Sequence, residues 1–361
     1  MSARQRGLLR RAADGTGRED FIMDNITHGS LGIIAAILAA PPELRRKAAL
    51  AGFIAAELPD LDVFILSPGD PLFSLQMHRH FSHALVMIPV LAVLGVLLAN
   101  ALRKLFRRPA QWRGMWMPAL AAVATHGFCD TWTSYGTHLL WPFTERRESW
   151  DLISVIDPLM TLPLLVCAVL AWKRGVRRPA WIGCAWAAFY LSLCLVQQHR
   201  AGAAVKEWAA AQQHTTLRLT VKPSFGNIMV WRGLYVHEGN CHVVCVRPGI
   251  TESTRVLGTA SAPLLDPDTP APPLNALPPD SVQMHDVRRF QHFSDDWMGV
   301  HPRDSLVIGD LRYATRPDLI SPLWGIAIDP AQSDRHVKLA YFRRTDDASW
   351  GELWRMITGQ R

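Results

Sequence analysis

The sequence predicts two joined parts. The first is an α-helical integral membrane bundle of about six segments, and the second is a soluble, mainly-β or α+β domain. Three observations predict this. Hydrophobic residues make up 49% of the 361 residues, and they concentrate in six apolar runs between residues 26 and 198. Twelve Lys/Arg residues crowd into three of the five connections between those runs. Residues 201–361 form ordinary mixed sequence with short alternating stretches. The chain therefore divides into a tail (1–22), a membrane domain (23–200) and a soluble domain (201–361).

A helix needs about 20 residues to cross about 30 Å of hydrocarbon. The run ALVMIPVLAVLGVLLANAL (84–102) meets this best. The others lie near 26–40, 48–66, 115–129, 158–172 and 180–198. The first and fifth are short and call for local thinning of the bilayer or shielding by neighbours. The basic connections are ELRRK (43–47), RKLFRRPAQWR (103–113) and KRGVRR (173–178), while 58–82 and 130–157 hold only Arg79, Arg146 and Arg147. Lys/Arg excess marks the cytoplasmic side. Six spans then put the other two connections and the soluble domain on the outer face of a bacterial inner membrane.

The arginines of MSARQRGLLRRAADGTGRED oppose this sidedness, and that stretch lacks the apolar core of a signal peptide. A translation start at Met23 resolves the conflict. The net charge of +7 is accounted for by the basic loops and needs no nucleic-acid partner. The six cysteines show no disulfide framework.

The unusual polar residues gather at one end of this topology. His28 opens the first segment, and ELPDLD brings Asp60 and Asp62 to the end of the second. HRHFSHAL places His78, His80 and His83 before the third, and THGFCD places His126 and Asp130 at the end of the fourth. Ionisable groups at membrane depth are costly and mark function. Imidazole and carboxylate suit zinc, with manganese or iron as alternatives. His126 and Asp130, at i and i+4, share a helix face. Each piece alone has a plainer reading: an interfacial hydrogen bond for His28, a turn for PDLD, a solvated patch for HRHFSH. Their common placement favours a metal site of one or two ions. Asp157 before Pro158 reads as a helix cap, and Glu57 as a buried partner or a general base.

These residues resemble the membrane-bound, predicted metal-dependent hydrolases of bacteria, the group that includes the LexA-regulated inner-membrane protein YdjM. The pieces that carry the resemblance are MDNITHGSLG, LPDLD, HRHFSHAL, HGFCDTWTSYGTHLLWPF and VIDPLMTLPLL, followed by KPSFGNIMVWRGLY, FSDDWMGV and GDLRYA. It spans about residues 23–325. The resemblance implies His28, Asp60, Asp62, His78, His83, His126 and Asp130 as metal ligands. His80 stands where the family pattern often has a small residue, and Ser82 replaces a common threonine.

In the soluble domain TLRLTV, NIMVWRGLYV, CHVVCVR, SLVIGDLRYA and VKLAYFRR read as strands. Residues 262–280 are proline-rich and form a loop, and ASWGELWRMITG reads as a final amphipathic helix. His237, Cys241, His242 and Cys245 loosely resemble a zinc set, but alternation along NCHVVCVR favours a strand. The aromatics Trp231, Tyr235, Trp297, Trp324, Trp350 and Trp354 are expected in the core.

The function expected is an integral membrane metal-dependent hydrolase, in which metal-activated water attacks an ester or phosphoester, with a lipid or lipid-linked substrate arriving from the bilayer. Asp62 or Asp130 takes the proton, and Arg79 binds substrate phosphate. The alternative is a non-catalytic metal-binding membrane protein acting as sensor or interaction scaffold. A transporter is disfavoured, because its polar residues belong near mid-membrane.

Overall fold

A computed structural model describes residues 21–249, 252–342 and 347–360. The tail and most of its Met23 boundary question lie outside the described residues. Among the described residues seven α-helices come first: α1 Phe21–Ala39, α2 Arg45–Glu57, α3 Pro71–Met77, α4 Ile88–Leu105, α5 Trp116–Asp130, α6 Pro158–Arg174 and α7 Arg178–Ala211. Six of them overlap the six apolar runs, but the second helix stops at Glu57, short of the expected 48–66, because Pro59 opens a 3-10 turn, and α3 is an addition in a connection. Two stretches are long and apolar enough to cross a membrane, Leu85–Leu105 and Arg178–Ala211, and Asn25–Ala39 is a shorter apolar helix.

The helices pack through small residues. A Cβ on Gly32 would fall 2.7 Å from the Gly52 carbonyl oxygen, so α1 and α2 approach backbone to backbone. Their outer surfaces stay apolar: Val90, Val93, Leu94, Leu97 and Leu98 on α4 and Ile182, Phe189 and Val196 on α7 are all exposed. A patch this extended fits lipid contact and not a soluble surface.

The two ends of the bundle differ. At one end the basic connections meet: Arg45 donates to the Gly175 carbonyl, Arg177 to the Ala40 carbonyl and Lys47 to Gln111. At the other end Asp157 caps α6 through the Leu159 and Met160 amides and accepts from Tyr190, as the cap reading expects.

Helix α7 has 34 residues, or about 51 Å at 1.5 Å per residue. That exceeds a bilayer core, and its C-terminal turns enter the β-sheet-rich domain. There Ala201, Ala204, Val205 and Ala209 pack under the first sheet. Two antiparallel meanders follow: β1 Arg218–Pro223, β2 Trp231–His237, β3 Asn240–Arg247 and β4 Arg255–Pro263, then β5 Met298–His301, β6 Asp304–Asp310, β7 Trp324–Ala327 and β8 Lys338–Tyr341. Gly233 on β2 lies where a Cβ would strike Val205 at 2.3 Å, so the strand passes directly over α7. Helix α8 (Val282–Phe293) covers the second sheet, and α9 (Asp347–Thr358) ends the chain.

Trp231, Tyr235 and Trp297 are buried as expected. Trp350 and Trp354 are not: they are 44% and 64% exposed, because α9 turns Leu353 and Met356 inward instead. Cys241 and Cys245 lie buried on β3, as the strand reading requires.

The β-sheet-rich domain docks on the cap end. Leu72 of α3 joins the core of the second sheet. Arg289 of α8 makes a two-pronged ion pair with Asp70, Tyr313 donates to the Ser134 carbonyl, and Lys222 pairs with Asp151.

Candidate metal centre

Four local structures deliver the polar residues to one point. His28 comes from α1. Asp60 and Asp62 come from the 3-10 turn Pro59–Phe64 that follows α2, where Pro59 starts the turn. His126 and Asp130 share the inner face of α5. His83 comes from the 3-10 turn Phe81–His83, reached through Arg79 at a positive φ of 59°.

Asp62 organises the turn. Its Oδ1 lies 2.8 Å from His78 Nδ1, and its Oδ2 accepts from Ser82 Oγ at 2.6 Å and from the Arg79 amide at 3.0 Å. His83 Nδ1 faces Ser82 Oγ at 3.0 Å and Asp62 Oδ2 at 3.3 Å. Ser82 spends its hydrogen on Asp62, so its oxygen accepts from His83. Both neighbours of His83 Nδ1 thus call for a hydrogen there. The same holds for His126, whose Nδ1 lies 2.5 Å from the Ala56 carbonyl, a group that only accepts. In their neutral forms both rings therefore turn an Nε2 lone pair inward.

Those two Nε2 atoms are 3.0 Å apart. Asp60 Oδ1 lies 3.3 Å from His83 Nε2 and 3.4 Å from His126 Nε2. Asp130 Oδ2 lies 3.1 Å and 3.5 Å from the same two atoms. Ligands bonded at about 2.0–2.1 Å to a tetrahedral ion are separated by about 3.3 Å. All five distances match that edge. His28 extends the set: its ring stacks on His126 with centroids 3.8 Å apart, and its Nε2 lies 3.2 Å from Asp130 Oδ1. The donors form two overlapping trios, His28–His126–Asp130 and Asp60–His83–His126. In that neutral state two facing lone pairs and two carboxylates could hold a cation, and the donor set fits one or two divalent ions.

Four expectations meet a different geometry. Arg79 does not face a substrate: it is 3% exposed, and its guanidinium meets Asp130 at 3.0 Å and Thr133 at 2.8 Å. Asp62 surrounds itself with donors, so it stands as a neighbour of the ligands and not as a free base. Asp130 is held by Arg79 and three histidines, which removes it from proton transfer as well. His78 is brought to the site through Asp62 and not to the convergence point. Glu57 accepts from Asn25 between α1 and α2, the buried-partner reading. Ser82, Thr133 and the Ala56 carbonyl were not signalled by the sequence, because a hydroxyl or a backbone oxygen carries no spacing pattern of its own.

The model of the YdjM inner membrane protein family matches residues 23–201. This half of the chain belongs to the YdjM inner membrane protein family. Membership makes it a membrane protein associated with the lipid bilayer. Over 160 residues, 42% of this chain and 47% of the relative, it is 26% identical to the uncharacterized protein YfhP of Bacillus subtilis (strain 168). Over 134 residues, 36% of this chain and 75% of the relative, it is 28% identical to the inner membrane protein YbcI of Escherichia coli (strain K12). The chain thus spans about half the length of the first relative. No solved structure gives a significant match. The five ligand candidates that approach the centre, His28, Asp60, His83, His126 and Asp130, lie inside the matched residues 23–201, and none comes from the β domain.

Proposed function

We propose that this YdjM-family protein is an integral membrane metal-dependent hydrolase acting on an ester or phosphoester of a lipid or lipid-linked compound. The observation that carries the reading is the convergence of His83, His126, Asp60 and Asp130 at coordination-edge spacing, with both histidine tautomers set by outer partners. When bound, a divalent ion, zinc on donor chemistry with manganese or iron as alternatives, supplies Lewis acidity and a water of lowered pKa.

The chain's own residues do the rest. Asp62 and the Ala56 carbonyl hold the two rings in the ligating tautomer. Arg79 balances the Asp130 charge from within. Asp60 is the carboxylate nearest solvent: its side chain is 11% exposed, while those of His28, His83, His126 and Asp130 are 0% exposed. Asp60 is therefore the candidate to handle a proton at the open side. A narrow crevice lined by Pro59, His83, Leu85, Ile88, Val123 and Leu139 adjoins the centre. Its apolar wall, continuous with the exposed face of α4, supports an apolar chain approaching sideways from the bilayer.

We place six helices across the membrane, with the centre and the β domain on the outer face. The grouping of the basic connections at the opposite end supports this. The complete burial of four donors favours a second reading, a non-catalytic metal-binding scaffold.

Elemental analysis of detergent-purified protein tests the proposal, beside an Asp60→Ala/His126→Ala variant that still folds. Stoichiometric metal in the parent, lost in the variant, is the expected result. Metal-free parent from a chelator-free preparation overturns the metal reading. Metal with no turnover of p-nitrophenyl phosphate, p-nitrophenyl esters or phospholipid vesicles selects the scaffold.

A further inference from the structure

Three residues outside the centre make a second donor set. His80 Nε2 lies 3.5 Å from Glu145 Oε2, and His138 Nδ1 lies 4.0 Å from the same oxygen. The two rings have centroids 4.6 Å apart. One ligand atom from each residue lies within 4.8 Å of the others.

The backbone, and not the side chains, brings them together. The His138 amide donates to the Arg79 carbonyl at 3.0 Å, which ties the segment carrying His138 to the loop carrying His80. Thr137 and Glu148 exchange two hydrogen bonds of 3.0 and 2.9 Å, which fold the segment carrying Glu145 back over both. The donors are thus presented by three chain segments whose positions do not depend on the donors themselves. His138 supplies a separate sign: its side chain is 10% exposed, yet its Nδ1 is buried without a hydrogen bond and aimed at Glu145. His80 Nδ1 is buried in the same condition.

We propose that His80, His138 and Glu145 form a second divalent-cation site at the rim of the metal centre, with a preference for zinc-like ions. Two imidazoles and one carboxylate are an established zinc donor set that leaves a position open. His80, Arg147 and His292 lie near the His138 ring. The 3.5–4.0 Å separations exceed the coordination edge of about 3.3 Å, and Glu145, 70% exposed, is free to close them. Arg147 and His292 oppose a cation, so this site is weaker and more exchangeable than the centre. His80 lies three residues from His83, which places the site where an ion exchanging between solvent and the centre would pass. The proposal needs no hydrolase activity.

The test titrates metal-stripped, full-length protein in detergent with Zn2+ against a chromogenic chelator. It compares the parent with Glu145→Gln, His138→Gln and the primary-centre variant Asp60→Asn/His126→Gln. Glu145 faces solvent, so Glu145→Gln leaves the fold intact. Loss of a ligand should exceed the about 10–100-fold affinity cost of losing an outer partner. Supporting results are a weaker zinc equivalent in the parent that disappears in Glu145→Gln and His138→Gln and persists in the primary-centre variant. Zinc binding by Glu145→Gln and His138→Gln indistinguishable from the parent overturns the proposal, whatever the primary-centre variant does. Failure of the centre itself shows separately, as loss-free titration of Asp60→Asn/His126→Gln.

Discussion

Gly127→Ala should break the metal centre without removing a ligand. Gly127 follows His126 on α5 and faces the backbone of His83. A Cβ there would sit 2.4 Å from the His83 carbonyl oxygen and 3.3 Å from Leu139 Cδ1, where ordinary contact begins at 3.4 Å. The His83 turn must therefore retreat by about 1 Å, or α5 must. Metal sites tolerate ligand displacements of about 0.2 Å, so the substitution moves one of two facing imidazoles by roughly five times that margin. Overpacking of this kind costs about 1–3 kcal/mol, which leaves a folded protein. The expected outcome is a helical protein whose zinc affinity falls by more than about 100-fold, beyond the range for losing an outer partner. Gly183→Ala is the control. Its Cβ would meet Ile34 at 2.8 Å and Cys167 at 3.1 Å, far from the donors. It should lower thermal stability and spare the metal. Elemental analysis, chelator competition and thermal unfolding in detergent read all three proteins. Parental zinc affinity in Gly127→Ala would refute the claim that α5 and the His83 turn form one rigid frame.

Two further outcomes are expected. Asp62→Asn keeps the shape of the side chain but weakens its hold on His83 Nδ1, so zinc affinity should drop about 10–100-fold with the fold preserved; an unchanged affinity shows that Asp62 does not set the tautomer. Partial burial would raise the Asp70 carboxyl, but the hydrogen bonds and charge of Arg289 hold it below its ordinary value. A depressed carboxylate stabilises fully above its unfolded pKa and loses that contribution as pH falls through the folded pKa. Docking of the β domain on the membrane half should therefore weaken on acidification below about pH 4. Limited proteolysis between the halves should reveal this in the parent, and Asp70→Asn should be loosened at neutral pH and lack that acid step. An identical acid profile in Asp70→Asn shows that the pair does not join the halves.

Much of the fold was legible because apolar runs and turn-breaking residues act locally. The six runs became helices over their apolar, charge-poor parts, and the second stopped where ELPDLD brings Pro59 and acidic residues. β3, β6 and the last helix kept their periodic signals. β4 was missed because RVLGTASAP is small and polar and packs as an edge. β5 and β7 were missed because four residues carry almost no period. Exposure of Trp350 and Trp354 was equally invisible: at i and i+4 they share one face, Leu353 and Met356 form another, and the local sequence does not say which of the two a distant sheet will cover.

By itself, the sequence determined which residues could ligate and which end of the bundle they occupy. Donor chemistry belongs to residue type, and segment parity with charged loops orders the ends. Only the tertiary structure decided which donors meet. His83 and His126 are 43 residues apart, and their approach depends on Gly127 admitting a backbone, on Asp62 tying a turn and on the Ala56 carbonyl meeting a ring. It also decided that Arg79 lies beneath Asp130 and not beside a substrate. An isolated arginine in a loop reads as solvated, but a buried carboxylate among lone pairs needs a positive neighbour, and packing supplied the one within reach.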